Sequence, residues 1–182
     1  GEAWAKRFGD AAGDQYGHSI AVAQTGEVTI GGAFSSTIDL GGGAKTSLGS
    51  ADIIIGHFSA GGAHLWSKSF GDASLQSCRR VAVDANKNVV ATGWVFGTAN
   101  FGGGVLASSG AEDIFVVKLD SSGNHQWSKL FGDVATQLGQ GLMTGPSGEI
   151  TMAAWSKGAI DFGFGPLVSA GAYDAVVAEL GP

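Results

Sequence analysis

The chain has 182 residues, a net charge of −6 and 32 glycines, with 44% apolar and 14% charged residues. It is long enough to bury a real core, too apolar and proline-poor for collagen or a disordered tract, and too acidic to offer the basic stripe that binding a nucleic-acid duplex requires. No apolar run reaches the ~18 residues of a membrane-spanning helix, an anionic membrane surface is disfavoured, and the single cysteine, Cys78, has no partner for an internal disulfide.

Residues 1–10 alternate, with Trp4, Lys6 and Phe8 on one side and Ala3, Ala5 and Arg7 on the other, which predicts a strand. Gly9 and Asp10 end it, and a polar loop is expected to run to His18. Residues 19–23, the turn Gln24-Thr25-Gly26-Glu27 and the apolar run 28–34 read as a β-hairpin. A glycine-rich loop over 38–43 leads to the β-branched run 52–58, a buried strand. Residues 59–62 then turn the chain into a second copy of the opening stretch.

That stretch, Trp4 to Asp10, recurs as Trp66-Ser67-Lys68-Ser69-Phe70-Gly71-Asp72 and Trp127-Ser128-Lys129-Leu130-Phe131-Gly132-Asp133, at spacings of 62 and 61 residues. A fixed period of this size marks a repeat architecture whose units bury their apolar faces on one another. From Gln15 onward the copies align without a gap at an offset of 61, so that Gln15, Gln76 and Gln137 correspond, as do Asp52, Asp113 and Asp174. The expected organisation is one all-β array over 1–182, with four-stranded units at about 11–72, 73–133 and 134–182, strand 1–10 belonging with the last.

The unit carries Ser19-Ile20-Ala21-Val22 followed by Gly26-Glu27-Val28 and Gly31-Gly32, then Val81-Ala82-Val83-Asp84 with Asn88-Val89-Val90-Ala91-Thr92-Gly93. Asp113-Ile114-Phe115-Val116-Val117-Lys118-Leu119-Asp120 precedes the third Trp stretch. In these runs it resembles the bacterial β-propeller repeat found in tandem in secreted and cell-surface proteins. The resemblance implies four-stranded propeller blades, an extracellular or envelope setting, and a scaffold without a defined catalytic signature. The third unit departs most, with Gly141-Leu142-Met143-Thr144-Gly145-Pro146 in place of an apolar first strand and Ala154-Trp155 where Gly32 and Gly93 begin the corresponding pairs. Propeller rings typically have four to eight blades, so three blades do not close one. Gly1 corresponds to Ala63 and Asn124, and Pro182 to Ala60 and Ser121, so the opening stretch and residues 174–180 read as two halves of one hairpin. The expectation is a six-bladed homodimer formed by exchange of terminal strands.

Asp10, Asp72 and Asp133 open loops and read as caps of turn N–H groups. Asp14 lies near Asp10, which makes this pair the calcium candidate; no other metal or cofactor is expected. Trp4, Trp66 and Trp127 read as packing between units, His64 and His125 as solvent-facing, and the His57 position, occupied by Lys118 and Glu179 in the other units, as polar and outward. Trp94 and Trp155 share a position, and an aromatic at a strand end beside a glycine-rich loop offers its face to a sugar ring. The loops 10–18, 72–80 and 133–140 carry the unrepeated polar residues. His18, Gln76, Gln137 and the adjacent cations Arg79 and Arg80 are therefore ligand-binding candidates alongside the two tryptophans. Gly41-Gly42-Gly43-Ala44-Lys45-Thr46 lacks the glycine directly before lysine that a phosphate loop needs, and no Gly-x-Ser-x-Gly occurs. The expected function is a non-catalytic binding or interaction module with a glycan or protein ligand. The alternatives are a polysaccharide-acting enzyme with an acid pair in the propeller channel, and a structural segment of a longer surface repeat protein.

Overall fold

The computed structural model describes residues 3–181, all of them in strands, turns or irregular backbone. No helix among them is long and apolar enough to cross a membrane. The hairpin-tip correspondence of Gly1 and Pro182 falls outside the described residues.

The first unit comprises Gln15–Val22 (β1), Val28–Phe34 (β2), a short ribbon of Thr37–Ile38 (β3) and Lys45–Thr46 (β4), Asp52–Phe58 (β5) and His64–Phe70 (β6). The second repeats it as Gln76–Val83 (β7), Val89–Val95 (β8), Thr98–Asn100 (β9), Val105–Ala107 (β10), Asp113–Leu119 (β11) and His125–Phe131 (β12). The third holds Gln137–Thr144 (β13), Ile150–Ser156 (β14), Ala159–Ile160 (β15), Leu167–Val168 (β16) and Asp174–Leu180 (β17). The main sheets run β1-β2-β5-β6, β7-β8-β11-β12 and β13-β14-β17, so neighbours in sequence are neighbours in each sheet apart from the ribbons. All these pairings are antiparallel. The long strands sit where apolar and β-branched runs occur, and the ribbons fill what the sequence suggested was only loop.

The core lies between sheets. Ile53, Ile55, Trp66 and Phe70 of the first unit pack on Cys78, Val81, Val89, Phe101 and Phe115 of the second. Ile114, Val116 and Phe131 then pack on Ile150, Met152, Ile160 and Leu180 of the third. Covered on both faces, β5 and β11 are buried along their whole length. At about 1.5–3 kcal/mol for each large apolar side chain taken from water, these seams hold the units together. That double burial also corrects the expectation for the His57 position in the first two units, whereas Glu179 on the third is exposed as expected. His57 is enclosed, bonded through Nδ1 to Thr29 Oγ1 at 2.9 Å and stacked on Trp66. Its counterpart Lys118 is buried in an ion pair with Asp84 at 3.3 Å. Both lie one residue from the end of a strand whose two faces are covered, so alternation within the strand does not lead to water.

Residues 3–10 form no strand, contrary to the reading of 1–10. Trp4 and Phe8 instead lie against Phe58, with ring centroids 6.4 and 5.5 Å away. The Trp4 indole donates to Ala60 O at 3.0 Å, as Trp66 donates to Ser121 O in the next unit. The segment thus covers the first unit as β6 covers the second. It has no ladder because an extended chain becomes a strand only beside an edge that supplies its hydrogen bonds. Within this chain it does not pair with Asp174–Leu180, which bonds only to β14 among the described residues. The first strands also begin earlier than residue 19: β1, β7 and β13 start at Gln15, Gln76 and Gln137.

Candidate functional site

The first strands of the three units, β1, β7 and β13, lie side by side. Each breaks register at the same place, between Gly17 and Ser19, Cys78 and Arg80, and Gly139 and Gly141. The extra residues at these β-bulges are His18, Arg79 and Gln140. A bulge kinks its strand and re-aims the side chain it carries. It also brings backbones together: a Cβ on Gly93 would strike the carbonyl oxygen of Ser77, and one on Gly32 that of Tyr16. Glycine at these two points gives the backbones room to come so close.

Two bulges meet at the seam between the first and second units. His18 Nδ1 sits 2.9 Å from Cys78 O, and because a carbonyl only accepts, that nitrogen carries the proton. Ser77 Oγ is 3.4 Å from the same nitrogen, and Arg79 Nη1 is 3.5 Å from His18 Nε2. The Tyr16 ring stacks on His18 at 5.8 Å, nearly parallel. Arg80 Nη1 donates to Arg79 O at 2.8 Å, which folds the second guanidinium back over the bulge. Arg79 Nε is buried with no hydrogen-bond partner. Among the described residues the ion pairs are Lys87 with Glu27 and Lys118 with Asp84, so neither arginine meets a carboxylate.

No family model matches the chain, and no curated protein matches it at a significant level.

The other candidate residues part company with this cluster. Gln76 and Gln137 are fully buried at 0% exposure and belong to internal clasps. Gln76 Nε2 donates to Asp72 Oδ1 at 2.6 Å and Phe96 O at 2.8 Å, and Gln137 Nε2 makes the same pair of bonds to Asp133 and Lys157 O. A ligand reaches neither amide. His18, Arg79 and Arg80 lie on strands rather than in the polar loops where the sequence placed them. Trp94 is buried, whereas Trp155 stands exposed on the outer face of the third unit.

Asp10, Asp72 and Asp133 do cap turns, and each also reaches onward. Asp72 takes Ser74 N and Gln76 Nε2 on one oxygen and the Thr98 amide and hydroxyl, both at 2.7 Å, on the other. Burial pushes this carboxyl up, but the four bonds, led by the Thr98 hydroxyl, outweigh it and hold it down at about 2. Asp10 is held below its usual range first by the Ala12 N–H. Its two oxygens accept from Ala12, Gly13, Gln15, Ser36 and Thr37. Asp14 faces Tyr16, whose phenol it raises. No group of three or more His, Cys, Asp or Glu side chains is gathered among the described residues. Asp52 and Asp113 are pushed up by burial, each with one oxygen lacking a partner. The Cys78 thiol is buried and raised to about 12, which removes it as a nucleophile at neutral pH.

Proposed function

We propose that the chain is a non-catalytic binding scaffold of the β-propeller type, its three units acting as blades and a second copy supplying three more. The observation that carries this reading is one face met in three settings. Ile55 and Val116 are fully buried at 0%, while Val177, at the same place in the third unit, is 72% exposed. Trp94 is 9% exposed and its counterpart Trp155 is 53% exposed. Beside them Leu167, Val168 and Tyr173 are also open to solvent, and Met143 is exposed on the same sheet, an apolar surface of the kind that marks an interaction site.

The first unit has the matching deficit. Ile20 on β1 is 65% exposed, whereas Val81, its equivalent on β7, is 5% exposed because the first unit covers it. The open face of the third unit therefore repeats the surface that β7 and β8 pack against inside this chain. A second copy brings the count to six blades, within the usual range of closed rings. Residues 3–10 of one copy, held over its first unit by Trp4 and Phe8, then lie where Asp174–Leu180 of the other needs a fourth strand. The resemblance to propeller repeats of secreted and surface proteins supports an extracellular or envelope setting, with ligands met at the bulged first strands.

Light scattering tests this. The wild-type protein is expected at the mass of two chains, and Val177→Glu at the mass of one with an unchanged circular dichroism spectrum, since Val177 is exposed in the isolated chain. A wild-type mass of one chain at tens of micromolar protein would overturn the proposal.

A further inference from the structure

We infer that the double bulge of His18, Ser77, Arg79 and Arg80 binds an oxyanion, the carboxylate or sulfate group of an acidic saccharide. The chain has 16 Asp and Glu against 10 Lys and Arg, so carboxylates are in surplus, yet neither arginine forms an ion pair among the described residues. Asp14, the acid nearest His18 in the sequence, is engaged with Tyr16. Of the other cations, Lys87 pairs with Glu27, Lys118 with Asp84, and Lys129 lies over the face of Trp127, while Lys6, Arg7, Lys45, Lys68 and Lys157 form no ion pair among the described residues. Arg79 and Arg80 differ from these in being adjacent cations on one bulge, with Arg79 Nε buried and without a partner.

Their fixing suits recognition. With its proton on Nδ1 toward Cys78 O, His18 turns the Nε2 lone pair to Arg79 Nη1, which orients the guanidinium. No other acceptor lies within bonding distance of the Arg79 guanidinium among the described residues, and Nε is buried without one. Arg80 is pinned by one N–H to Arg79 O, which leaves its remaining donors unspent. A guanidinium presents donors in a planar fork that fits a carboxylate or sulfate at two points, and such charge-assisted bonds are about twice as strong as neutral ones. Tyr16, half exposed and stacked on His18, adds an aromatic face beside the anion for a sugar ring. All these residues belong to one chain, so the site takes no residue from a second copy.

Isothermal titration of the full chain with a galacturonic acid trisaccharide, with neutral maltotriose and with sodium sulfate tests the inference. The acidic trisaccharide is expected to bind and maltotriose not to, with affinity falling as salt is added. Arg79→Ala and Arg80→Ala are each expected to weaken binding by about tenfold or more. Arg79→Lys is expected to weaken it several-fold, because an ammonium keeps the charge without the fork. His18→Gln serves as a milder second variant, and thermal melting of each variant checks that the fold is kept. Sulfate binding as tightly as the trisaccharide with the same arginine dependence would sustain the oxyanion site but overturn the saccharide. Failure of wild type to bind either anion, or arginine variants that bind like wild type, would overturn the site, and neither result would alter the mass read by light scattering.

Discussion

Asp72 gathers donors from two stretches of chain 26 residues apart, its own turn and Thr98. Its carboxyl titrates near 3.8 when unfolded and near 2 in the folded protein. A depressed folded value contributes stability that is fully present above the unfolded value and is lost as pH falls through the folded one. Asp10 and Asp133 are shifted the same way. Asp52 and Asp113, raised by burial, act in the opposite sense, their contribution present below 3.8 and lost as pH rises through the raised value. Urea unfolding followed from pH 5 to pH 2 is therefore expected to show wild-type stability falling below about pH 4, with a shallower fall in Asp72→Asn. A parallel fall in the two proteins would refute the assignment. The turn-capping role of these aspartates was legible in the sequence, since Asp after Phe-Gly at a loop start has few other uses. The reach to Thr98 was not, because it depends on how a later ribbon folds back. His57 and Lys118 were misread for a related reason: one strand's alternation cannot reveal that a neighbouring sheet covers its second face.

The long strands were the most legible elements. Gapless alignment at 61 residues placed β5, β11 and β17, and the turn residues marked the hairpins between the other long strands. Two features escaped. The polar stretch from Gln15 to His18 looked like loop, yet it pairs with the glycine-containing end of β2. Residues 3–10 had a strand's alternation but no edge to bond. At the first two bulges a backbone carbonyl lies against a glycine of the next strand, which yields a test. In Gly93→Ala the new methyl would meet the Ser77 carbonyl, and backbone on both sides cannot swing away as a flexible side chain can. A loss of about 1–3 kcal/mol is expected from such overpacking, read as a lower urea midpoint. Ala154 holds the equivalent place in the third unit opposite Gly139, so the cost reflects the particular closeness of β7 and β8.

At the scale of the molecule, the association proposed above would be coupled to stability. A second copy that binds only the folded form raises apparent stability by mass action. The melting temperature of the wild type is accordingly expected to climb with protein concentration over a hundredfold range, and that of Val177→Glu to stay flat; a flat wild-type curve would count against joining. The indole bonds carry one more consequence. Trp4 reaches forward to Ala60 and Trp66 forward to Ser121, never backward. Two latches that lean the same way give the stack a head and a tail, so the ring proposed above would join its copies nose to tail. Two that close a circle stop there, whereas any that miss closure would keep adding and grow into a filament.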